Sequence, residues 1–325
     1  MENSLLLRSP NWLGDAALTL PAVRQFTGSG WRPAVLCPEK LRDFWRLVPG
    51  LGEILSVQPR LRDTAQLLRA KKFTAALLFP NSLTVALEAW LAGIPRRVGF
   101  HGHRRRWLLT GSVPRPAPVT GFIHQARQNL ELPRLLGVTG SGADSLENFQ
   151  PVPRPPADRD LAARPYLAVC PGAAYGPAKR WPTDRFAAVI NRLRAADRDL
   201  AAVILGAADD TPVAARLAIQ CAKPVIDKTG RTTLAEFLAI LANARLVLCN
   251  DSGAMHAAAM FGAPAVAVFG STEPALTGPL GDSVSVNREH VPCSPCFLRA
   301  CPLDLRCLTS VSVSQVTNAA VEKLR

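Results

Sequence analysis

Short apolar runs alternate with amphipathic stretches along the first half of the chain. Ser4–Arg8, Pro33–Cys37, Ile54–Val57, Thr74–Phe79 and Arg97–Phe100 read as buried strands. Between them, segments of helical period run from about Asp15 to Phe26, Glu39 to Leu47, Leu61 to Lys71 and Ser82 to Leu91. The second half repeats the rhythm. Its strands are Tyr166–Cys170, Leu200–Leu205, Pro224–Asp227, Leu246–Cys249 and Ala265–Phe269. Its helices are Thr183–Ala195, Asp210–Cys221, Thr233–Ala242 and Ser252–Phe261, with a last helix over Val313–Leu324 that could pack on either half. Such alternation implies parallel sheets covered by helices on both faces. Between Gln150 and Pro165 five prolines rule out helix or central strand and predict an exposed connection. The expectation is an α/β chain of two doubly wound, Rossmann-like domains, residues 1–155 and 156–325, facing an interdomain cleft.

Composition narrows the setting. With 325 residues, 48% hydrophobic and 19% charged, the chain has the make-up of a well-packed globular protein. No apolar run approaches the roughly 20 residues that cross a bilayer, and the start lacks the marks of a signal peptide, so a cytoplasmic location is expected. The net charge of +13 favours a polyanionic partner: nucleic acid, an anionic membrane face or a phosphorylated small molecule. The densest basic stretch, Arg96–Arg106 (RRVGFHGHRRR), holds five arginines, two histidines and no acid, and a solvated loop would look the same. Aromatics are 6% of the chain, and only Phe100 and Trp107 stand by the basic run, which argues against a nucleic-acid binder.

Eight cysteines in a chain of this size are expected to be reduced. Cys37, Cys170, Cys221 and Cys249 sit in or beside apolar segments and read as core residues. Cys293, Cys296, Cys301 and Cys307 form a compact cluster that could supply thiolates to a structural zinc or iron–sulfur centre, or form a reduced or disulfide-tied loop. The spacing departs from the usual pair of close Cys-x-x-Cys knuckles.

Four loops carry candidate chemistry. PGAAYGPAKRWP, Pro171–Pro182, follows a strand and precedes a helix. Gly172 and Gly176 allow a tight turn and close approach to a ligand, and Lys179 and Arg180 supply cationic donors for phosphate. The competing reading is an ordinary strand-to-helix loop with surface basic residues. In LVLCNDSGAMHAAAMF, Leu246–Phe261, the amides of Ser252, Gly253 and Ala254 lie at the positive end of a helix, where a diphosphate would be favoured. Asp251 would repel that diphosphate, so it caps the helix, pairs with Lys179 or binds a sugar hydroxyl. His256 lies one turn into the helix, as a ligand contact or a core histidine satisfied by a carbonyl. Asp15, after Gly14 at the mouth of the first loop, is a helix cap or a general base for an incoming hydroxyl. No DxD metal element stands beside a suitable strand, leaving Lys179, Arg180 and the helix amides to meet leaving-group charge. Asn81 and Ser82, in the FPNS run, are acceptor-hydroxyl ligands or a capping turn.

Taken in order, SPNWLGDAALTLPAVR, FPNSLTVALEAWLAGIPRRVGF, PGAAYGPAKRWP and NDSGAMHAAAMFGAPAVAVFGSTEP resemble the ADP-heptose:lipopolysaccharide heptosyltransferases of glycosyltransferase family 9, most closely the type II enzymes that add the second inner-core heptose. The cluster CSPCFLRACPLDLRC resembles one found in a subset of them. The resemblance implies a GT-B fold, an ADP-heptose donor held mainly by the second domain, no required cofactor, and inverting transfer to a lipid-linked acceptor. By position it makes Asp15 the general base, Lys179 the diphosphate ligand, and Asp251–Gly253 with His256 the donor-binding turn. Asp209 or Asp210 would hold the ribose hydroxyls, or serve only as helix N-terminal charge. Arg96, Arg97, Arg104, Arg105 and Arg106 would dock on lipid A and the sugar acids beneath the acceptor, placing the enzyme at the inner face of the cytoplasmic membrane. The rivals are a transferase or epimerase using another nucleotide sugar, or a non-catalytic polyanion binder.

Overall fold

The computed structural model describes residues 3–27, 29–102, 104–114, 121–139, 149–158, 161 and 163–325. His103 of the basic run and residues 159, 160 and 162 of the proline-rich connection lie outside them. Two compact units divide the chain: Met1–Phe149 with Ala275–Thr277, and Gln150–Pro274 with Gly278–Arg325.

The first unit is built on six parallel strands, β1 (Asn3–Arg8), β2 (Trp31–Cys37), β3 (Ile54–Ser56), β4 (Ala75–Leu78), β5 (Arg96–Phe100) and β6 (Gly111–Val113), in the order β3-β2-β1-β4-β5-β6. The second has β7 (Tyr166–Cys170), β8 (Ala201–Ile204), β9 (Ile226–Asp227), β10 (Leu246–Asn250), β11 (Ala265–Val268) and β12 (Val284–Asn287), in the order β12-β11-β10-β7-β8-β9. Counted from each unit's first strand, both sheets read 3-2-1-4-5-6, the Rossmann order. The strand order reverses between β1 and β4, and again between β7 and β10. At such a reversal the loops leaving the carboxyl ends diverge to opposite faces and open a crevice for ligands.

Helices on both faces explain why the central strands are nearly unbroken apolar runs. Leu5, Leu6 and Leu7 in one unit and Leu246, Val247 and Leu248 in the other are wholly buried. Leu6, Leu36, Ala76 and Leu78 pack with Val85, Ala86 and Ala89 of the helix Leu83–Leu91, while Leu167, Val169, Leu246 and Leu248 pack with Phe186, Val189 and Ile190 of the helix Thr183–Ala196.

Several elements differ from the sequence reading, each for a local reason. The helix expected from Asp15 to Phe26 is two short ones, Leu13–Ala17 and Leu20–Arg24. Pro21 has no N–H to continue the first, and Thr19 Oγ1 donates to the Ala16 carbonyl at the break. β6 and β12 were not anticipated, since Gly111–Val113 is short and half-buried and Val284–Asn287 is an edge strand. The proline-rich connection is docked rather than exposed along its start. Val152 is buried and its N–H donates to the Met260 carbonyl, while Arg154 donates to the carbonyls of Phe261 and Gly262. The last helix, Val313–Leu324, packs within the second unit against Thr183–Ala196 and β11. Trp181 Nε1 donates to the Val311 carbonyl just before it, and Arg185 donates to the carbonyls of Thr309 and Val311.

Candidate active site

The chemistry-bearing loops stand at the two strand-order reversals. In the second unit, β7 runs into Pro171–Arg180 and β10 into Asp251–Gly253. Asn250, buried at the end of β10, ties the two loops together: its Oδ1 accepts from the Trp181 N–H at 2.9 Å and its Nδ2 donates to the Pro171 carbonyl at 2.8 Å.

Gly176 is required by close approach, because a Cβ there would come within 2.3 Å of the Arg299 carbonyl oxygen. The same oxygen accepts from the Ala178 N–H, opening the short 3-10 turn Pro177–Lys179. That turn delivers Lys179 Nζ to Asp251 Oδ2 at 2.5 Å, while Thr272 Oγ1 donates to the same carboxylate oxygen at 2.5 Å. Of the three readings of Asp251, pairing with Lys179 is the one observed. Its own N–H continues the sheet to the Val268 carbonyl, and no side chain caps the helix Gly253–Met260. The leading amides of that helix therefore have no intrahelical acceptor, and Ser252 Oγ beside them is buried with no hydrogen-bond partner. Lys179 also lies 4.9 Å from the centroid of the Tyr175 ring. His256 is buried on the same helix.

Gly172 permits a second close approach, with a Cβ there falling 2.2 Å from Asp210 Cγ. Asp210 receives Arg180 Nη2 at 3.3 Å and the Ala207 N–H at 3.1 Å, so it braces the loop that Arg180 leaves. Asp209 is exposed beside it. The Arg180 Nε is buried without a protein partner. The assembled features are one ammonium, one guanidinium and a helix N-terminus around β7 and β10, which suit a diphosphate, with carboxylates beside them for hydroxyls.

In the first unit β1 leads to Asp15 and β4 to Asn81 and Ser82. Asp15 is the third residue of Leu13–Ala17, whose N-cap is Trp12, so it does not cap that helix. Its Oδ1 accepts from Gln125 Nε2 at 3.1 Å. Ser82 caps Leu83–Leu91, accepting from the Val85 N–H, and the Asn81 Oδ1 is buried without a partner.

The basic run divides. Arg105 is fully buried, and its guanidinium donates to the carbonyls of Phe100, Pro80 and Ser82. It is a strut between the β4 and β5 loops, with no surface to offer an acceptor, which corrects its placement among the docking arginines. Arg97 is likewise committed to the carbonyls of Leu108, Ile94 and Pro95. Arg96, Arg104 and Arg106 are exposed.

The cysteine cluster is a loop laid against the turn Pro171–Arg180. Tyr175 Oη donates to the Phe297 carbonyl, and the N–H groups of Cys296 and Phe297 donate to the Ser271 carbonyl. All four thiols are free, with Cys293 and Cys296 exposed and Cys307 buried. Burial, then the neighbouring Cys293, Cys296 and Cys301, push the Cys307 thiol up. Among the described residues no three His, Cys, Asp or Glu side chains gather to hold a metal, so the zinc and iron–sulfur reading finds no ligand set here.

Thr272, Gln125 and Asn250 were missed. Each lies a few residues beyond or far in sequence from its partner, and only the sheet order brings them together; Asn250, at the front of the NDSG run, was the one with a local signal.

Two Rossmann-ordered parallel sheets, with a diphosphate-type site at one reversal and an acid at the other, define a glycosyltransferase of the GT-B kind. Residues 61–306 match the model of glycosyltransferase family 9 (heptosyltransferase). The chain is 26% identical over 316 residues to lipooligosaccharide heptosyltransferase 2 of Haemophilus influenzae, covering 88% of each chain. It is 27% identical over 315 residues to lipopolysaccharide heptosyltransferase 2 of Escherichia coli, covering 87% of each. The solved structure of E. coli ADP-heptose lps heptosyltransferase II matches with a TM-score of 0.81 at 24% identity, over 99% of this chain and 98% of that one. The chain belongs to glycosyltransferase family 9, the heptosyltransferase family.

Proposed function

We propose that this enzyme transfers heptose from ADP-heptose to the inner core of lipopolysaccharide, and that it adds the second heptose. The observation that carries the reading is likeness along nearly the whole chain to two proteins named heptosyltransferase 2, together with a cationic turn and free helix amides at the reversal of the second sheet. The N-terminal domain, residues 1–155, takes the acceptor, and the C-terminal domain, residues 156–325, takes the ADP-sugar.

In this reading Lys179 and Arg180 with the amides of Ser252 and Gly253 hold the diphosphate. Asp251 supports the site by orienting Lys179 rather than by touching phosphate. Asp210, or the exposed Asp209, meets the ribose hydroxyls, and His256 lies behind the donor turn. Asp15 takes the proton from the acceptor hydroxyl as its oxygen bonds to the anomeric carbon. The bond from that carbon to the ADP oxygen breaks, and ADP leaves with the electron pair, its charge met by Lys179 and the helix amides. A single displacement inverts the anomeric carbon. Asn81 and the exposed Arg96, Arg104 and Arg106 face the acceptor's hydroxyls and acids. In this reading the enzyme works at the inner face of the cytoplasmic membrane; the described residues hold no helix long and apolar enough to cross one.

ADP release from ADP-heptose, with acceptors carrying no heptose or one, tests this. Turnover with the mono-heptosylated acceptor alone is expected. Turnover only with the bare acceptor moves the assignment to the first heptose, and silence with both alongside turnover of another nucleotide sugar refutes the heptose reading.

A further inference from the structure

The helix Leu83–Leu91 carries one charged residue, Glu88, and that one is turned inward. Its carboxylate receives Arg8 Nε at 2.8 Å, and both side chains are buried. The face left at the surface is Leu83, Thr84, Leu87, Trp90 and Leu91, with Leu83 40% and Trp90 45% exposed. A surface helix ordinarily turns charged residues outward, so this one is apolar where it should be polar.

A second element extends the face. Trp107, 67% exposed, sits edge-on to Trp90 with ring centroids 6.2 Å apart. Its Nε1 donates to the Arg104 carbonyl at 3.0 Å, which satisfies the indole N–H and leaves the ring as open apolar surface. The rim is basic. Arg104 and Arg106 precede Trp107 in the chain and are exposed, and exposed Arg69 reaches across to the Leu91 carbonyl at 2.5 Å. Beside Trp107 a depression of about 820 Å³ is lined by His101, Arg104, Arg106 and Ser112.

We propose that this tryptophan face with its arginine rim docks the enzyme on an anionic lipid bilayer. Tryptophan sits at the headgroup level of a membrane, apolar body inward, and arginines beside it meet lipid phosphates. Charge complementarity selects this occupant. A second copy would bring the same arginines against themselves, and the net charge of +13 opposes that approach. The helix starts at Ser82, beside Asn81 at the carboxyl end of β4, so the docking face adjoins the candidate acceptor residues of the same unit. The inference rests on the proposed function for why a membrane is approached, not for how the face binds it.

The test is co-sedimentation of the full chain with vesicles of equimolar phosphatidylglycerol and phosphatidylcholine, and of phosphatidylcholine alone. Binding is expected to the anionic vesicles, much weaker to the neutral ones, and to fall with salt. Trp90→Gln with Trp107→Gln is expected to lower partitioning about tenfold or more, since the lost contact is apolar burial. Arg104→Gln with Arg106→Gln is expected to lower it about 25-fold, at about fivefold for each arginine near the surface. Trp90→Phe with Trp107→Phe keeps the ring packing and is expected to restore most of the binding, which separates lost contact from a misfolded face. Unchanged binding by the Trp90→Gln, Trp107→Gln variant, or equal binding of the wild type to neutral vesicles, overturns the proposal. So does a solution dimer that this tryptophan variant dissociates, which would assign the face to a second copy. Transfer to a delipidated acceptor is expected to be unaffected by the tryptophan variant. If no heptose acceptor turns over while the vesicle results hold, the functional reading falls and the docking face stands.

Discussion

Separating Lys179 from Asp251 one partner at a time measures what holds the donor loop. Asp251 is 4% exposed and Lys179 13% at the side chain, with Nζ 2.5 Å from Oδ2 and the Thr272 hydroxyl on the same oxygen. Removing one member of a buried pair leaves the other charge without its partner, at about 3–5 kcal/mol where neither can reach water. Lys179→Met strands the more buried carboxylate, with Thr272 as its remaining donor, and should destabilise by about 3 kcal/mol. Asp251→Asn strands an ammonium on a flexible stem nearer water, and should cost about 2 kcal/mol. The double variant removes both charges, so the two losses should fall short of additive by about 2 kcal/mol in urea unfolding, with little change in 0.5 M salt. ADP binding by calorimetry gives a sign test. By charge alone, Asp251→Asn would tighten ADP by removing a repelling carboxylate; by orientation of Lys179, it should loosen ADP by about tenfold, a loss of about 1.4 kcal/mol. Additivity within about 0.5 kcal/mol, or tighter ADP binding by Asp251→Asn, would refute the argument.

Asp15→Asn should lower transfer by about 10²–10⁴-fold with ADP affinity unchanged, and near wild-type turnover in the ADP-release assay would remove Asp15 from the reaction. Arg105→Ala removes a fully buried guanidinium, leaves the carbonyls of Phe100, Pro80 and Ser82 without this donor, and should destabilise by about 3 kcal/mol in thermal unfolding, whereas exposed Arg106→Ala should stay within about 0.5 kcal/mol. In thiol titration of the native protein at pH 8, exposed Cys293 and Cys296 should react first. Cys37, pushed up to about 12 by burial, and Cys170 and Cys249, raised further by burial, should wait for denaturant; early loss of those three would contradict their placement. Burial, then Asp158, raises the Tyr166 phenol to about 12, and it donates to the Ile240 carbonyl. Its unfolded counterpart ionises near about 10, so the folded state holds the proton longer and stability should decline from about pH 10 to pH 12. Tyr166→Phe should flatten that slope in urea unfolding, and an unchanged slope would assign it elsewhere.

Much of the scaffold was legible because a parallel sheet covered on both faces needs continuous apolar strands, and those runs appear in the chain almost undiluted. Strands with weak apolar character, β6 and β12, were not, since edge position and pairing partner leave little trace in three or four residues. The turn carrying Gly172, Gly176 and Lys179 was legible as a residue pattern, but what makes its glycines necessary is distant in the chain: a Cβ would meet Asp210 at Gly172 and the Arg299 carbonyl at Gly176. The arginine run misled at Arg105: five arginines in eleven residues look alike in sequence, and which one turns inward depends on carbonyls at Pro80 and Ser82, more than twenty residues away.

By itself, the sequence determined the βα alternation and the small-residue helix after Asp251, because each depends on contacts within a turn or two. Tertiary structure alone decided that Asp251 answers Lys179, that Thr272 shares its carboxylate, that Asn250 ties the two loops, and that Glu88 faces Arg8 while Trp90 faces outward. Those outcomes depend on strand order, which places residues from 21 to 80 apart within hydrogen-bonding distance, and pairing across such separations is set by the packing of whole layers rather than by any local preference.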